Sequence, residues 1–279
     1  MKLLKNIFQY FLIAVFLSAC ILIIMGGGFG ERKKENDLVI SSEPPLLFAH
    51  RGMINYFPEN SMEGIAGAKS VGFNAIEIDI RKSKDGEYIL FHDDSASRLL
   101  GINKLVEQLT LQELKQSNIL FNGKKTTSKV VSLNEVLENH KNDFIIYLDM
   151  KIASKEDADI IARIIDQYDI YNSTIVADAN FIFIGYLEYF YPRINTAIEG
   201  FTPEKEWTYK FLPKKFKPDY ISGFAGMIDS AHVSWLRKNN LLDKRIIYGV
   251  NSENIDRIIN LEIKKVIVDY DSSMTILMR

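Results

Sequence analysis

The 279 residues are enough for one or two domains, and a single α/β barrel of about 250 residues fits that length. Lys plus Arg number 34 against 36 Asp plus Glu, a net charge of -2, which argues against nucleic acid as the main partner. With 47% hydrophobic residues, 25% charged residues and one Cys, the composition excludes disordered and collagen-like chains and a disulfide framework.

From Ile7 to Met25 the chain carries no charge. As a helix rising about 1.5 Å per residue, this run comes close to the thickness of a hydrocarbon core and exceeds a typical signal-peptide segment. It therefore predicts an uncleaved transmembrane anchor. Leu17-Ser18-Ala19-Cys20 also resembles a lipobox, so a lipoprotein lipidated at Cys20 is the alternative. The apolar Ile21 to Met25 favours the anchor, because a lipobox Cys normally opens a polar mature region. Lys2 and Lys5 precede the run while Arg32, Lys33 and Lys34 follow it, diluted by Glu31 and Glu35, so the positive-inside rule is near balance; the globular part is expected outside the cytoplasm. Gly26 to Gly28, Gly30 and the charged stretch through Asp37 predict a flexible linker. The expected division is an anchor and linker over 1–36 and one barrel over 37–279.

Within the barrel, β-branched and aromatic runs predict strands over Leu46 to Ala49, Ala75 to Ile80, Phe144 to Lys151, Thr174 to Ala177, Ile194 to Ile198, Tyr220 to Ser222, Arg245 to Tyr248 and Lys265 to Val268. Between them, helical spacing predicts helices over Asn60 to Val71, Leu133 to Asn139, Ser154 to Tyr168, Phe181 to Phe190, Ser230 to Lys238 and Ser252 to Asn260. This alternation fits a TIM (β/α)8 barrel, with a doubly wound open sheet as the alternative. Residues 93–132 interrupt it and read as an insertion after the second strand. In a barrel such an insertion walls the active-site face.

The chemistry is concentrated in residues 49 to 94. His50 and Arg51 stand at the mouth of the first strand. In Glu77-Ile78-Asp79 the period of two sends both carboxylates to one face, inward in a barrel. Inside a packed barrel they need basic partners or a hard cation; a half-exposed edge strand is the less demanding reading. Lys84-Asp85-Gly86 predicts a turn that brings the chain back to the same mouth at His92. An imidazole near its ordinary pKa suits acid and base work. His140 and His232 read as structural. Asp149 and Lys151 share a face at the end of another strand. Glu77, Asp79 and Asp149, without a further Cys nearby, favour Mg²⁺ or Ca²⁺ over Zn²⁺, and Arg51 with Lys151 suits an anionic, phosphate-bearing substrate.

These residues resemble the glycerophosphodiester phosphodiesterase family, which carries a strand ending in His-Arg-Gly, then Pro-Glu-Asn, a Glu-x-Asp strand, an Asp-Gly turn and a His-Asp pair. Here these are His50-Arg51-Gly52, Pro58-Glu59-Asn60, Glu77-Ile78-Asp79, Asp85-Gly86 and His92-Asp93. Leu109 to Leu114 is similar to the family's Thr-Leu-x-Glu-Leu element, and Ser132 to Leu137 to its return into the barrel. The resemblance runs from about Leu47 to Tyr270. It implies a TIM barrel holding one divalent cation, Mg²⁺ or Ca²⁺, on Glu77, Asp79 and Asp149, with His50 and His92 as acid and base. Arg51 and Lys151 would contact the phosphate, Glu59 would orient them, and Tyr248 would wall the pocket. The implied reaction releases an alcohol and glycerol 3-phosphate from a small-molecule phosphodiester.

The chain departs from the family pattern at four places. Asp149 replaces a usual Glu, Tyr248-Gly249-Val250-Asn251 stands for Trp-Thr-Val-Asn, Ala177-Asp178 for Ser-Phe, and Val268-Asp269-Tyr270-Asp271 for Thr-Asp-Tyr-Pro. The alternatives are a phospholipase D-like or ring-closing reaction on lysophospholipid headgroups, or an inactive barrel serving as a binding module. No motif specifies an oligomeric state.

Overall fold

The computed structural model describes residues 2–30 and 45–274. Its barrel strands are β1 (Leu46–His50), β2 (Ala75–Lys82), β3 (Ile145–Met150), β4 (Thr174–Asp178), β5 (Asn195–Ile198), β6 (Tyr220–Phe224), β7 (Arg245–Val250) and β8 (Lys265–Val268). Each pairs in parallel with the next, and β1 pairs with both β2 and β8, closing the sheet. All eight lie on the strands expected from sequence, and the closure excludes the open-sheet alternative.

The closed sheet has apolar packing on both sides, which the two-residue period produces. Ile76, Ile78 and Ile80 face outward into the main core beneath the helices, while Phe48, Ala75, Tyr147, Ile175, Ala177, Ala197, Ile246 and Ile267 form a separate interior cluster. Large Phe48 and Tyr147, in edge contact at 5.8 Å, fit against the small alanines, as a narrow barrel requires. One further inward step along the same strands brings His50, Glu77, Asp149 and Tyr248 to the C-terminal mouth.

The helices start where side chains supply caps. Ser61, Ser132 and Ser154 accept from Gly64, Glu135 and Asp157 backbone N–H groups. After β2 the chain turns through Ser83 to Glu87, and Tyr88–Leu90 returns antiparallel to β2. The segment that follows has its own small core, including Ile89, Phe91, Leu99, Val106 and Leu114. Its helix Leu111–Gln116 is capped reciprocally by Thr110 and Glu113. Asp85 accepts from Leu111 N at 3.0 Å, so the turn holds this helix in place.

At the other end, helix Lys2–Met25 stands apart from the barrel until its last turn. Its Asn6–Met25 segment, 20 residues, is long and apolar enough to cross a membrane. The linker expected to be flexible begins otherwise. Gly26 and Gly28 carbonyls accept from Lys215 N and Lys214 N at 3.0 and 2.9 Å, and Lys217 Nζ donates to Gly30 O at 2.9 Å. Gly26 lies against Pro213 so closely that a Cβ would sit 2.3 Å from its ring. The charged remainder of that linker, with Arg32, Lys33 and Lys34, lies outside the described residues.

Candidate active site

Strand register assembles the site. It sets His50 beside Glu77 and Asp79 beside Asp149, so residues distant in sequence meet at one rim. One carboxylate oxygen from each of Glu77, Asp79 and Asp149 lies within 4.8 Å of the other two, a group that could hold a metal ion. An all-carboxylate donor set matches a hard divalent cation such as Mg²⁺ or Ca²⁺.

The turn after β1 is shaped around these acids. Arg51 and Gly52 take left-handed backbone at φ 50° and 81°; a Cβ on Gly52 would come within 2.8 Å of the Gly64 carbonyl carbon. This bend points Arg51 N at Glu77 Oε2, at 2.9 Å. The Arg51 side chain reaches Glu59 Oε1 at 3.0 Å and Asp79 Oδ2 at 3.1 Å. Asn60, also left-handed at φ 55°, donates to Asp79 Oδ2 at 2.7 Å and accepts from Asp79 N at 3.1 Å. Ser61 next to it caps the helix, while Asn60 holds a carboxylate.

Both imidazoles are oriented through Nδ1. His50 Nδ1 lies 2.5 Å from Asp269 Oδ1, and His92 Nδ1 lies 2.8 Å from Asp93 Oδ1. The carboxylate favours the tautomer that carries its proton on Nδ1, which leaves Nε2 the unprotonated ring nitrogen of a neutral imidazole. His50, Arg51, Glu77, His92, Asp149, Lys151, Glu199 and Tyr248 line one cleft of about 290 Å³. Asp79 lies buried beneath it, and Glu59 stands behind Arg51. Lys151 Nζ reaches Asp149 Oδ2 at 2.5 Å and Asp79 Oδ1 at 3.1 Å. His140 and His232 lie elsewhere, paired with Asp143 and Glu206.

Charge in the cleft is unbalanced. Burial, then the negative charges of Asp79 and Asp149, raises Glu77 well above its usual pKa. Burial and Glu199 push Asp149 up to about 8 despite Lys151, and burial raises Glu199. Burial also opposes ionisation of Asp79, yet Arg51 and Lys151 hold it below the ordinary carboxylate range. Carboxyls raised this way are short of positive charge, which a divalent cation supplies.

Several residues here were not singled out from sequence. Glu199 follows β5 and accepts from Tyr147 OH at 2.8 Å; an acid just past a strand end was the available signal. Asp269 was noted only as part of a departed motif. Arg98 comes from the insertion and grips Glu59 at 2.6 and 2.8 Å and Asp93 at 2.6 and 2.9 Å. It thereby joins the support of Arg51 to that of His92, and nothing local in the sequence marks it. Asp178, the substituted residue on β4, is buried near the mouth, where burial lifts it to about 6.

Comparison with known proteins converges on one family. Residues 50–179 match the model of the Glycerophosphoryl diester phosphodiesterase family. A Glycerophosphodiester phosphodiesterase of Bacillus altitudinis is 33% identical over 109 residues, covering 38% of this chain and 44% of that protein. The human Glycerophosphodiester phosphodiesterase 1 is 27% identical over 135 residues, covering 46% and 40%. The chain thus spans under half the length of these curated relatives. Solved structures match more fully. A Thermotoga maritima glycerophosphodiester phosphodiesterase is 25% identical with TM-score 0.63, covering 81% of this chain and 95% of that one. An Oleispira antarctica phosphodiesterase in complex with the product sn-glycerol-3-phosphate shares the fold at 20% identity and TM-score 0.71, covering 84% and 96%.

Proposed function

We propose that this chain, whose residues 50–179 match the model of the Glycerophosphoryl diester phosphodiesterase family, hydrolyses glycerophosphodiesters to an alcohol and glycerol 3-phosphate while tethered to a membrane. The observation that carries the reading is the single cleft in which two carboxylate-oriented imidazoles flank Glu77, Asp149, Arg51 and Lys151.

In this mechanism Arg51 and Lys151 bind the phosphodiester, and Glu59 keeps the guanidinium turned toward it. One imidazole Nε2 takes a proton from the attacking water as the new P–O bond forms. The other gives a proton to the departing alcohol oxygen as the old P–O bond breaks, and each transfer contributes a factor of roughly 10²–10⁴. Glu77, Asp79 and Asp149 would hold one Mg²⁺ or Ca²⁺. When bound, that ion stabilises charge on the phosphoryl oxygens. Tyr248 forms the aromatic wall beside the leaving group. The apolar Asn6–Met25 helix supports the tether, with 1–36 as anchor and linker, 37–279 as the barrel, and the barrel outside the cytoplasm.

The test is release of glycerol 3-phosphate from a panel of glycerophosphodiesters by the full chain in detergent, with chelator, Mg²⁺ or Ca²⁺. Chelator-sensitive release is expected. A folded, cation-binding protein that turns over none of the panel would overturn the reading, and a cyclic phosphate product would replace water by a substrate hydroxyl as nucleophile.

A further inference from the structure

The helix that follows β4, Phe181–Phe190, is apolar on both sides. Phe183, Ile184 and Leu187 are buried in the core, whereas Phe181, Ile182 and Phe190 are 39, 72 and 56% exposed. A surface helix normally turns polar residues outward, so among the described residues this outer face is left largely uncovered. It is also where the N-terminal helix meets the barrel. Leu22 and Met25 line one groove of about 500 Å³ with Phe181, Ile182, Phe190 and Phe216.

That coincidence fixes a depth. As a helix, Asn6–Met25 measures about 30 Å, the thickness of the hydrocarbon core, so its last turn lies at the boundary with the headgroups. The backbone bonds from Gly26 and Gly28 to Lys214 and Lys215 leave no slack between that boundary and the barrel. Residues sharing a groove with Leu22 and Met25 therefore lie at the same level. Their composition suits it: aromatic rings populate this zone, and exposed Lys155 and Lys215 stand over the Tyr186 and Tyr189 rings at 5.7 and 5.5 Å, placed to meet lipid phosphates.

We propose that the outer face of Phe181–Phe190 is a membrane-contact surface that rests in the interfacial layer of the bilayer, with Ile182 and Phe190 among the acyl chains. The proposal rests on the anchor reading above. Its consequence is orientation: Phe181 follows three residues after Asp178 at the cleft mouth, so contact here holds the mouth beside the headgroups and favours diesters derived from lipids.

The experiment uses the full chain with Cys20→Ser, reconstituted in phosphatidylcholine vesicles containing phosphatidylglycerol. A polarity-sensitive fluorophore is attached in turn to Ile182→Cys, to Leu17→Cys in the helix and to Lys124→Cys on the insertion, and quenched by doxyl-labelled phosphatidylcholine. Blue-shifted emission and quenching at 182 and 17, with none at 124, are expected. Quenching at 17 without 182 would overturn the contact surface and leave the anchor standing, and mutual quenching between labels at 182 would then assign the face to a second copy. Quenching at neither position would overturn both, whereas quenching at 182 alone would keep the lipid surface and overturn the anchor.

Discussion

The site's chemistry is set by single side chains whose partners define their state. His50 and His92 each have Nδ1 held by a carboxylate, so on the proposed mechanism replacing either by Ala removes a proton carrier without opening the core. Turnover of a glycerophosphodiester should fall about 10²–10⁴-fold with little change in melting temperature, as steady-state kinetics beside thermal unfolding will show. The acids make a second prediction. Glu77 lies well above, and Asp149 at about 8, their ordinary values. For a carboxyl raised in the folded state, the stabilising contribution is complete below the unfolded pKa and is lost as pH rises through the folded one. Without cation, stability should decline as pH rises from the ordinary carboxylate range toward about 8, and Mg²⁺ or Ca²⁺ should raise the melting temperature more at pH 9 than at pH 6. Calorimetry should also record proton release on cation binding near neutral pH; its absence would mean that the acids are already ionised.

The insertion shows how an element acts on a site it does not line. Arg98 bridges Glu59 and Asp93, and the Arg98 bonds lower Asp93 to about 2. The Arg98 side chain is 49% exposed, so Arg98→Ala should cost under about 1 kcal/mol of stability. Activity should suffer more, because Arg51 and His92 lose a shared brace. The expected result is at least a roughly tenfold fall in kcat/KM, equivalent to 1.4 kcal/mol, with a near-unchanged unfolding curve; parallel losses in both would assign Arg98 to the fold alone. Similar reasoning explains two motif elements. The Thr110–Glu113 pair is a helix cap, and Asp85 is the acceptor that seats that helix.

At the scale of the molecule, the end of the apolar helix is seated on the closed barrel, where the Gly26, Gly28 and Gly30 carbonyls accept from Lys215 N, Lys214 N and Lys217 Nζ. Removing residues 1–30 should move the protein from the membrane fraction to the soluble one while leaving hydrolysis of a water-soluble diester intact. Retention of that shortened chain in the membrane fraction would show that the helix is not what holds it there. The close junction has a physical basis in Gly26, whose missing side chain admits Pro213.

Local pattern alone determined much of this protein. Alternating strands and helices specified eight strands with crossover helices, because period two and period 3.6 are properties of short segments, while the choice of a closed barrel over an open sheet came from the pairing of β1 with β8. The uncharged run to Met25 marked the helix by length. His50, Arg51, Glu77, Asp79, His92, Asp149 and Lys151 were legible because each stands at or beside the end of a strand or its return, where a barrel concentrates its side chains. Register and long-range approach were decided only by the fold. Asp269 reaches His50 because β8 closes against β1. Glu199 enters through Tyr147 across the interior, and Arg98 arrives from a segment whose path no periodicity encodes. The seating of Lys214 to Lys217 on the end of the N-terminal helix likewise depends on surfaces that meet only when distant segments pack, and a linear pattern carries no record of which surfaces those are.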